Sequence, residues 1–257
     1  MRELRRLNAW IDDAAIKDID GDIHVVNIFD NAPQIEMEYG GITGKNGQYL
    51  LGRSNKSRKI GIEFDIRELY NLSRRAAIVD AVNAWAKDGI LKVSYRPEQR
   101  IRVIRATPAH FDAAKDVTNS YTVEFEACAV PYWECDIPST LQLSGTIGTD
   151  TLYVPGSAPA APEIEVKATG GTLNALTLAY AGRAMAFQNL NIAVNKSLII
   201  SHDDRGWLKI TSDGVSKLPL RTAASVDDFT ALPGEIEVAF AADVACTVDI
   251  TARGCYI

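Results

Sequence analysis

Histidine is scarce in this chain of 257 residues: three occur, at His24, His110 and His202, well apart from one another. So few imidazoles leave little material for general acid–base chemistry near neutral pH. No G-x-S-x-G elbow, no H-E-x-x-H pair and no cysteine with a histidine partner is present, which removes the common nucleophile and zinc-hydrolase patterns. The four cysteines, Cys128, Cys135, Cys246 and Cys255, lack the short gaps of a structural zinc site. No apolar run approaches the roughly 20 residues that cross a bilayer, and the opening "MRELRRLNAW" lacks the apolar centre of a signal peptide. The expectation is synthesis in a cytoplasm, with the cysteines as free thiols inside strands. Basic excess is missing too. A net charge of -6 and a pI near 5.2 argue against a chain built for nucleic acid or an anionic membrane.

What is present is ordinary globular composition, 47% hydrophobic and 23% charged, long enough for one large domain or two of moderate size. Charge is uneven: residues 45–105 hold 14 Lys or Arg against 6 Asp or Glu, while residues 137–257 hold 8 against 12. Two solvated domains of different surface charge, or a complementary pair of surfaces meeting in an assembly, would each produce that split.

Alternation with a period of two dominates the first half. Ile60, Ile62, Phe64 and Ile66 fall on one face of "RKIGIEFDIR", the mark of a half-buried strand. Leu91, Val93 and Tyr95, then Ile101 and Val103, then Tyr121, Val123 and Phe125 repeat it, as one-sided antiparallel sheets do. One segment differs. Leu69, Leu72, Ala76, Val79, Val82 and Ala86 recur at helical intervals, predicting one long amphipathic helix at about 67–88. Asp65 and Glu68 supply an acidic start, Lys87 suits the other end, and Gly89 offers a left-handed stop. Such a helix must lie on a sheet to bury its stripe, with Trp85 packed where helix meets strand.

After "PYWECDIPST" the texture becomes richer in Ala, Thr, Gly and Ser. Candidate strands at 163–167, 173–180, 190–194, 197–201, 207–211, 235–240 and 247–251 are separated by turn signals such as "SHDDRG" and "SDG". The fold class expected is mainly β in two domains. Residues 1–136 would form a β-sandwich-like domain carrying the helix, and residues 137–257 an antiparallel β-sandwich.

Motifs that hint at chemistry are incomplete. Gly44-Lys45 in "GGITGKNGQ" lacks the glycine and hydroxyl residue of a phosphate loop. Asp18, Asp20 and Asp22 have calcium-loop spacing, but Ile23 and Phe29 stand where Gly and Glu are needed, so a turn is expected. The pairs Asp203-Asp204 and Asp227-Asp228 are adjacent, and neighbouring carboxylates rarely face each other across a cleft. No catalytic, cofactor or metal residues are assigned. Exposed aromatics on a sandwich can stack on sugars, and Trp207 and Tyr180, with Phe187 and Phe229 behind them, are the candidates for a carbohydrate-binding module.

"NGQYLLGRSNKSRKIGIEFDI", "NAWAKDGILKVSYRPEQRIRV", "YTVEFEACAVPYWE", "VPGSAPAAPEIEV" and "SVDDFTALPGEIEVAF" follow one another along nearly the whole chain. In that order they resemble the distal tail (Dit) proteins of long-tailed bacteriophages, the siphophages. The resemblance implies a virion protein without catalytic residues, whose N-terminal domains form a hexameric ring at the tip of the tail tube. Its C-terminal galectin-like sandwich would project outward. The implied partners are further copies of itself, the tail tube protein, the tail-associated protein and receptor-binding or baseplate proteins, with no membrane and no sequence-specific nucleic acid. The implied location is the virion tail tip, after synthesis in the bacterial host cytoplasm. No large insertion supplies an adhesion arm of its own. From the residues themselves, Arg96, Arg100, Arg102 and Arg105 are the expected assembly face, because alternate strand residues share a side and opposite charge fixes register.

Overall fold

The computed structural model describes residues 7–41, 48–68, 70–111, 120–203 and 206–257. The chain divides into two compact units, Met1–Trp133 with Ile257, and Glu134–Tyr256. It is mainly β, 57% strand and 9% helix, in several antiparallel sheets of which one curls into a half-barrel; the expected fold class is the one found.

In unit 1 the strands are β1 (Ala9–Ile11), β2 (Ala14–Ala15), β3 (Ile23–Asp30), β4 (Ile35–Gly40), β5 (Tyr49–Asn55) and β6 (Arg58–Ile66). The helix α1 (Leu72–Trp85), β7 (Gly89–Val93), β8 (Gln99–Thr107) and β9 (Ser120–Ala127) follow. The main sheet runs β2-β1-β7-β8-β9-β6-β3, and β4 and β5 stand apart as a two-stranded sheet of their own. β6 is the last strand but one in that order, and its alternate Ile60, Ile62, Phe64 and Ile66 are all fully buried. It pairs with β3 on one side and β9 on the other, where Tyr121, Val123 and Phe125 continue the same inner face.

The helix is shorter than its pattern predicts. It begins after Asn71, whose side chain accepts from the Arg74 N–H at 3.0 Å as an N-cap. Glu68 sits before the helix and accepts from the N–H groups of Tyr70 and Asn71, which bends the chain into the cap. The stripe is also rotated from the expected one. Arg75, Ile78, Val79, Val82, Trp85 and Ala86 are buried while Leu72 is exposed, and Leu69 lies outside the described residues. Trp85 packs edge-on against Phe125 at 6.1 Å and donates its Nε1–H to the Ala14 carbonyl at 2.7 Å. Gly89 does not provide a left-handed stop: it already begins β7, and a Cβ there would meet the Asp12 carboxylate at 2.8 Å. Asp12 needs that closeness because it accepts from the Ile90 N–H at 2.9 Å. That hydrogen bond, then the charges of Lys87 and Arg102, hold its carboxyl below the ordinary range. Asp12 and Asp13 both have positive φ, forming the two-residue turn that joins β1 to β2. Tyr95, expected on the inner face with Leu91 and Val93, lies instead in the turn after β7.

β10 (Trp133–Cys135) spans the boundary between the units. Unit 2 contains β11 (Ser139–Val154), β12 (Pro162–Ala168), β13 (Leu176–Tyr180), β14 (Arg183–Phe187) and β15 (Ser197–His202). β16 (Leu208–Ser212), β17 (Val215–Ser216), β18 (Gly234–Ala252) and β19 (Cys255–Tyr256) complete it. The sheet order is β14-β13-β18-β12-β15-β16-β17, with β11 also paired to β18. Two strands expected at 235–240 and 247–251 are therefore one strand of 19 residues, matched to a 16-residue β11 with a register shift between Gly145 and Ile147. The segment 190–194 is not a strand. Asn189, Asn191 and Asn195 all adopt positive φ, which breaks extended backbone, and Ile192 makes a lone bridge to Leu173. The four cysteines are free, and Cys128 is exposed just beyond β9 rather than inside a strand.

Candidate assembly interface

β4 and β5 leave the main sheet between two strands that are hydrogen-bonded to each other, β3 and β6. The excursion is an arm. In its register Ile35, Met37 and Tyr39 share one face with their cross-strand partners Asn55, Arg53 and Leu50, while Glu36 and Glu38 lie on the other. Ile35, Met37, Tyr39 and Leu50 are 47%, 47%, 52% and 56% exposed, so the apolar side chains of this face are uncovered. Leu51 is the additional residue at the register shift and lies over Gly40. A two-stranded hairpin is marginal in water unless something covers its apolar side.

The root of the arm is held firmly. Arg58, 2% exposed, donates from Nε to Asp30 at 2.7 Å and from Nη1 to the Pro131 carbonyl at 3.3 Å. Trp133 donates its Nε1–H to the other Asp30 oxygen at 2.9 Å, and Arg96 lies over the Trp133 ring at 5.3 Å. Asn55 donates to the Tyr132 hydroxyl, and the Lys56 N–H reaches the Gln34 carbonyl at 2.8 Å. The Pro131–Trp133 run is thus the clasp at the base of the arm. Burial, and then the neighbouring Asp30 carboxylate, push the Tyr95 phenol up to about 12.

The four arginines do not form one face. Arg96 is in the turn before β8 and points to the clasp, 3.4 Å from Asp30 and hydrogen-bonded to Gln99 at 2.8 Å. Arg100 and Arg102 do share a side of β8, opposite the buried Ile101 and Val103. Arg105 is next to a register shift between β8 and β9, and its guanidinium donates to the Asn83 carbonyl at 2.9 Å, tying strand to helix. Two of the four are therefore braces within unit 1.

In unit 2 the aromatic candidates separate cleanly. Trp207 is 72% exposed at the hairpin joining β15 to β16, its N–H held by Asp203 at 2.9 Å. Tyr180 is fully buried, 6.1 Å from the equally buried Phe229, and Phe187 is buried as well. None of these three can stack on a sugar, because no ring face reaches solvent. His202 pairs with Asp228 at 2.7 Å, which gives one member of the Asp227-Asp228 pair a structural partner.

The remaining motifs resolve as turns. Asp20 accepts from the Asp22 N–H at 2.9 Å, and Arg74 bridges Asp20 and Asp22 at 3.5 and 2.7 Å, so an internal cation already faces the supposed calcium loop. Gly44-Lys45, Asp204 and Arg205 lie outside the described residues. Among the described residues no group of His, Cys, Asp and Glu is arranged to hold a metal ion, and no helix is long and apolar enough to cross a membrane. The arm itself escaped sequence reasoning. Its one signal was the alternation Ile35, Met37, Tyr39, which marks a strand but not an uncovered one.

The fold and this surface define a β-protein whose most prominent free feature is an arm. No family model matches the chain and no curated protein does. Among solved structures, the chain is similar to the SPP1 Dit (gp 19.1) protein, described as a paradigm of the hub adsorption apparatus in phages infecting Gram-positive bacteria. The TM-score is 0.69 at 14% identity, over 96% of this chain and 98% of that one, so the two share a fold. The phage P2 baseplate in its activated conformation with Ca aligns over 98% of both chains at 8% identity, with a TM-score of 0.48, too low to carry weight.

Proposed function

We propose that this chain is a structural subunit of the tail tip of a long-tailed phage or prophage. It works by assembly rather than by catalysis. Copies close a ring, a homo-hexamer in the reading that the Dit resemblance implies, at the distal end of the tail tube. Residues 1–136 make the ring, and residues 137–257, as a galectin-like sandwich, face outward. The ring connects the tail tube protein to the tail-associated protein and to receptor-binding or baseplate proteins at the virion tail tip, after synthesis in the host cytoplasm.

The observation that carries this reading is the β4–β5 arm, whose root is clamped and whose apolar face has no cover among the described residues. A head-to-tail ring needs a surface that docks on a different surface of the next copy. An apolar strand pair projecting from a rigid clasp meets that need, and shared fold with a hub protein supports it. Light scattering after size exclusion is the test. Wild type is expected as a multimer, and the triple change Met37→Glu, Tyr39→Glu and Leu50→Glu as a folded monomer. A wild-type monomer at high concentration, unchanged by tail tube and tail-associated proteins, overturns the reading.

One observation favours a second reading, a carbohydrate-binding module: the exposed Trp207. Glycan-array binding that Trp207→Ala abolishes, with the fold intact, would support it. Tyr180 has no part in it.

A further inference from the structure

The arm lacks packing of its own. No residue of β4 is buried, and Tyr49, Leu50, Leu51, Ser54 and Asn55 of β5 are exposed. Among the described residues β4 and β5 have only each other as a close neighbouring element. We propose that the arm is a switch ordered by docking. In the free chain its two strands part and re-pair while the main sheet stays closed, and seating on a second copy fixes the paired form.

The pairing is weak by construction. Its ladder is interrupted at the register shift between Glu38 and Tyr39, which leaves Leu51 without an opposite residue. Gly52 follows directly, and glycine inside a strand packs nothing and loses the most freedom on pairing. Gly40 has a reason to be glycine, because a Cβ there would meet Leu51 at 2.6 Å. Gly52 has none: its φ is not positive, and a Cβ would meet Glu38 no closer than 3.5 Å, an ordinary contact. The ion pair of Lys56 with Glu36 at 3.2 Å is exposed on both sides and adds little.

Opening stops at the root. Asp30 is tied to Arg58 at 2.7 Å and to Trp133 at 2.9 Å, so parting of β4 from β5 leaves β3 and β6 in place. Elements with few packed contacts open by themselves in this way, at a fraction of the cost of global unfolding. Only the paired form sets Ile35, Met37 and Tyr39 on one side together with Leu50. A second copy therefore binds the paired fraction of chains, and apparent affinity is reduced by that fraction. Assembly is thereby tuned from inside the arm, by residues that touch no partner. The docking half of this inference rests on the assembly reading above; the opening half does not.

Hydrogen exchange on the full chain, diluted until light scattering reads a monomer, tests the opening. The ladder amides of β4 and β5 are expected to exchange at least about 100-fold faster than those of β6 and β9, and to slow once the protein is concentrated into a multimer. Equal protection of arm and main sheet in the monomer overturns the switch. A chain that stays monomeric at every concentration defeats the assembly reading instead, and the exchange contrast still decides the opening. Gly52→Thr tests the gating, because position 52 pairs with Glu38, on the side away from Met37 and Tyr39. It is expected to slow arm exchange in the monomer about threefold and to tighten self-association by about the same factor. Slower exchange with unchanged association overturns the gating.

Discussion

Asp30 accepts hydrogen bonds from Arg58 and Trp133 on its two oxygens while Arg96 closes in at 3.4 Å, so one carboxylate balances a cation that is only 2% exposed. Removing one partner of a buried ion pair is far more damaging than replacing both. Asp30→Asn is therefore expected to lower stability by about 3–5 kcal/mol, read from denaturant unfolding of the full chain; a loss under about 1 kcal/mol would mean that Arg58 finds another partner. Tyr180 makes the opposite case. Burial pushes its phenol from 10.0 up to about 12, and its hydroxyl has no partner. The folded state holds that proton where the unfolded chain releases it. The contribution is whole below pH 10 and disappears as pH rises toward about 12. Tyr180→Phe should be nearly neutral at pH 7 and should flatten the fall in stability across that alkaline window. An unchanged alkaline profile would show that the phenol ionises without unfolding.

At the scale of elements, α1 depends on its cap more than on its amphipathicity, because its inner face includes Arg75 and its outer face Leu72. Asn71→Ala is expected to cost about 1 kcal/mol and to shorten protection in the first turn by hydrogen exchange. What the sequence makes legible here follows from burial. β6, β8, β9 and β12 were readable because one side of each meets the core, so apolar residues fall on every second position. β18 was not, because "AFAADVACTV" places Ala, Asp and Cys where the pattern would need larger apolar groups, and one strand looks like two. The helix start was misplaced because Glu68 resembles a first-turn acid and in fact serves the turn before the cap. The arginine series shares a side only in part: Arg96 lies in the turn before β8, and Arg105, three positions from Arg102, falls on the opposite side of the strand.

For the whole molecule the arm decides most. Its strands were partly legible, but exposure is set by what the rest of the chain leaves uncovered, which no local pattern records. If copies associate through that face, binding of the folded form to itself must raise apparent stability with concentration. The thermal midpoint of wild type should climb on concentrating the protein, and that of the Met37→Glu/Tyr39→Glu/Leu50→Glu variant should not move.

β18 bonds directly to β11, β12 and β13. All three are translated before it, and none is bonded to another of the three along the sheet path. A nascent chain emerging at about 5–20 residues per second must therefore hold these strands open, with unsatisfied edges, until residues 234–252 leave the ribosome tunnel. The sheet of unit 2 cannot be completed before then, although β13 can already pair with β14 and β12 with β15. The interval before that closure is when a chaperone has most to protect.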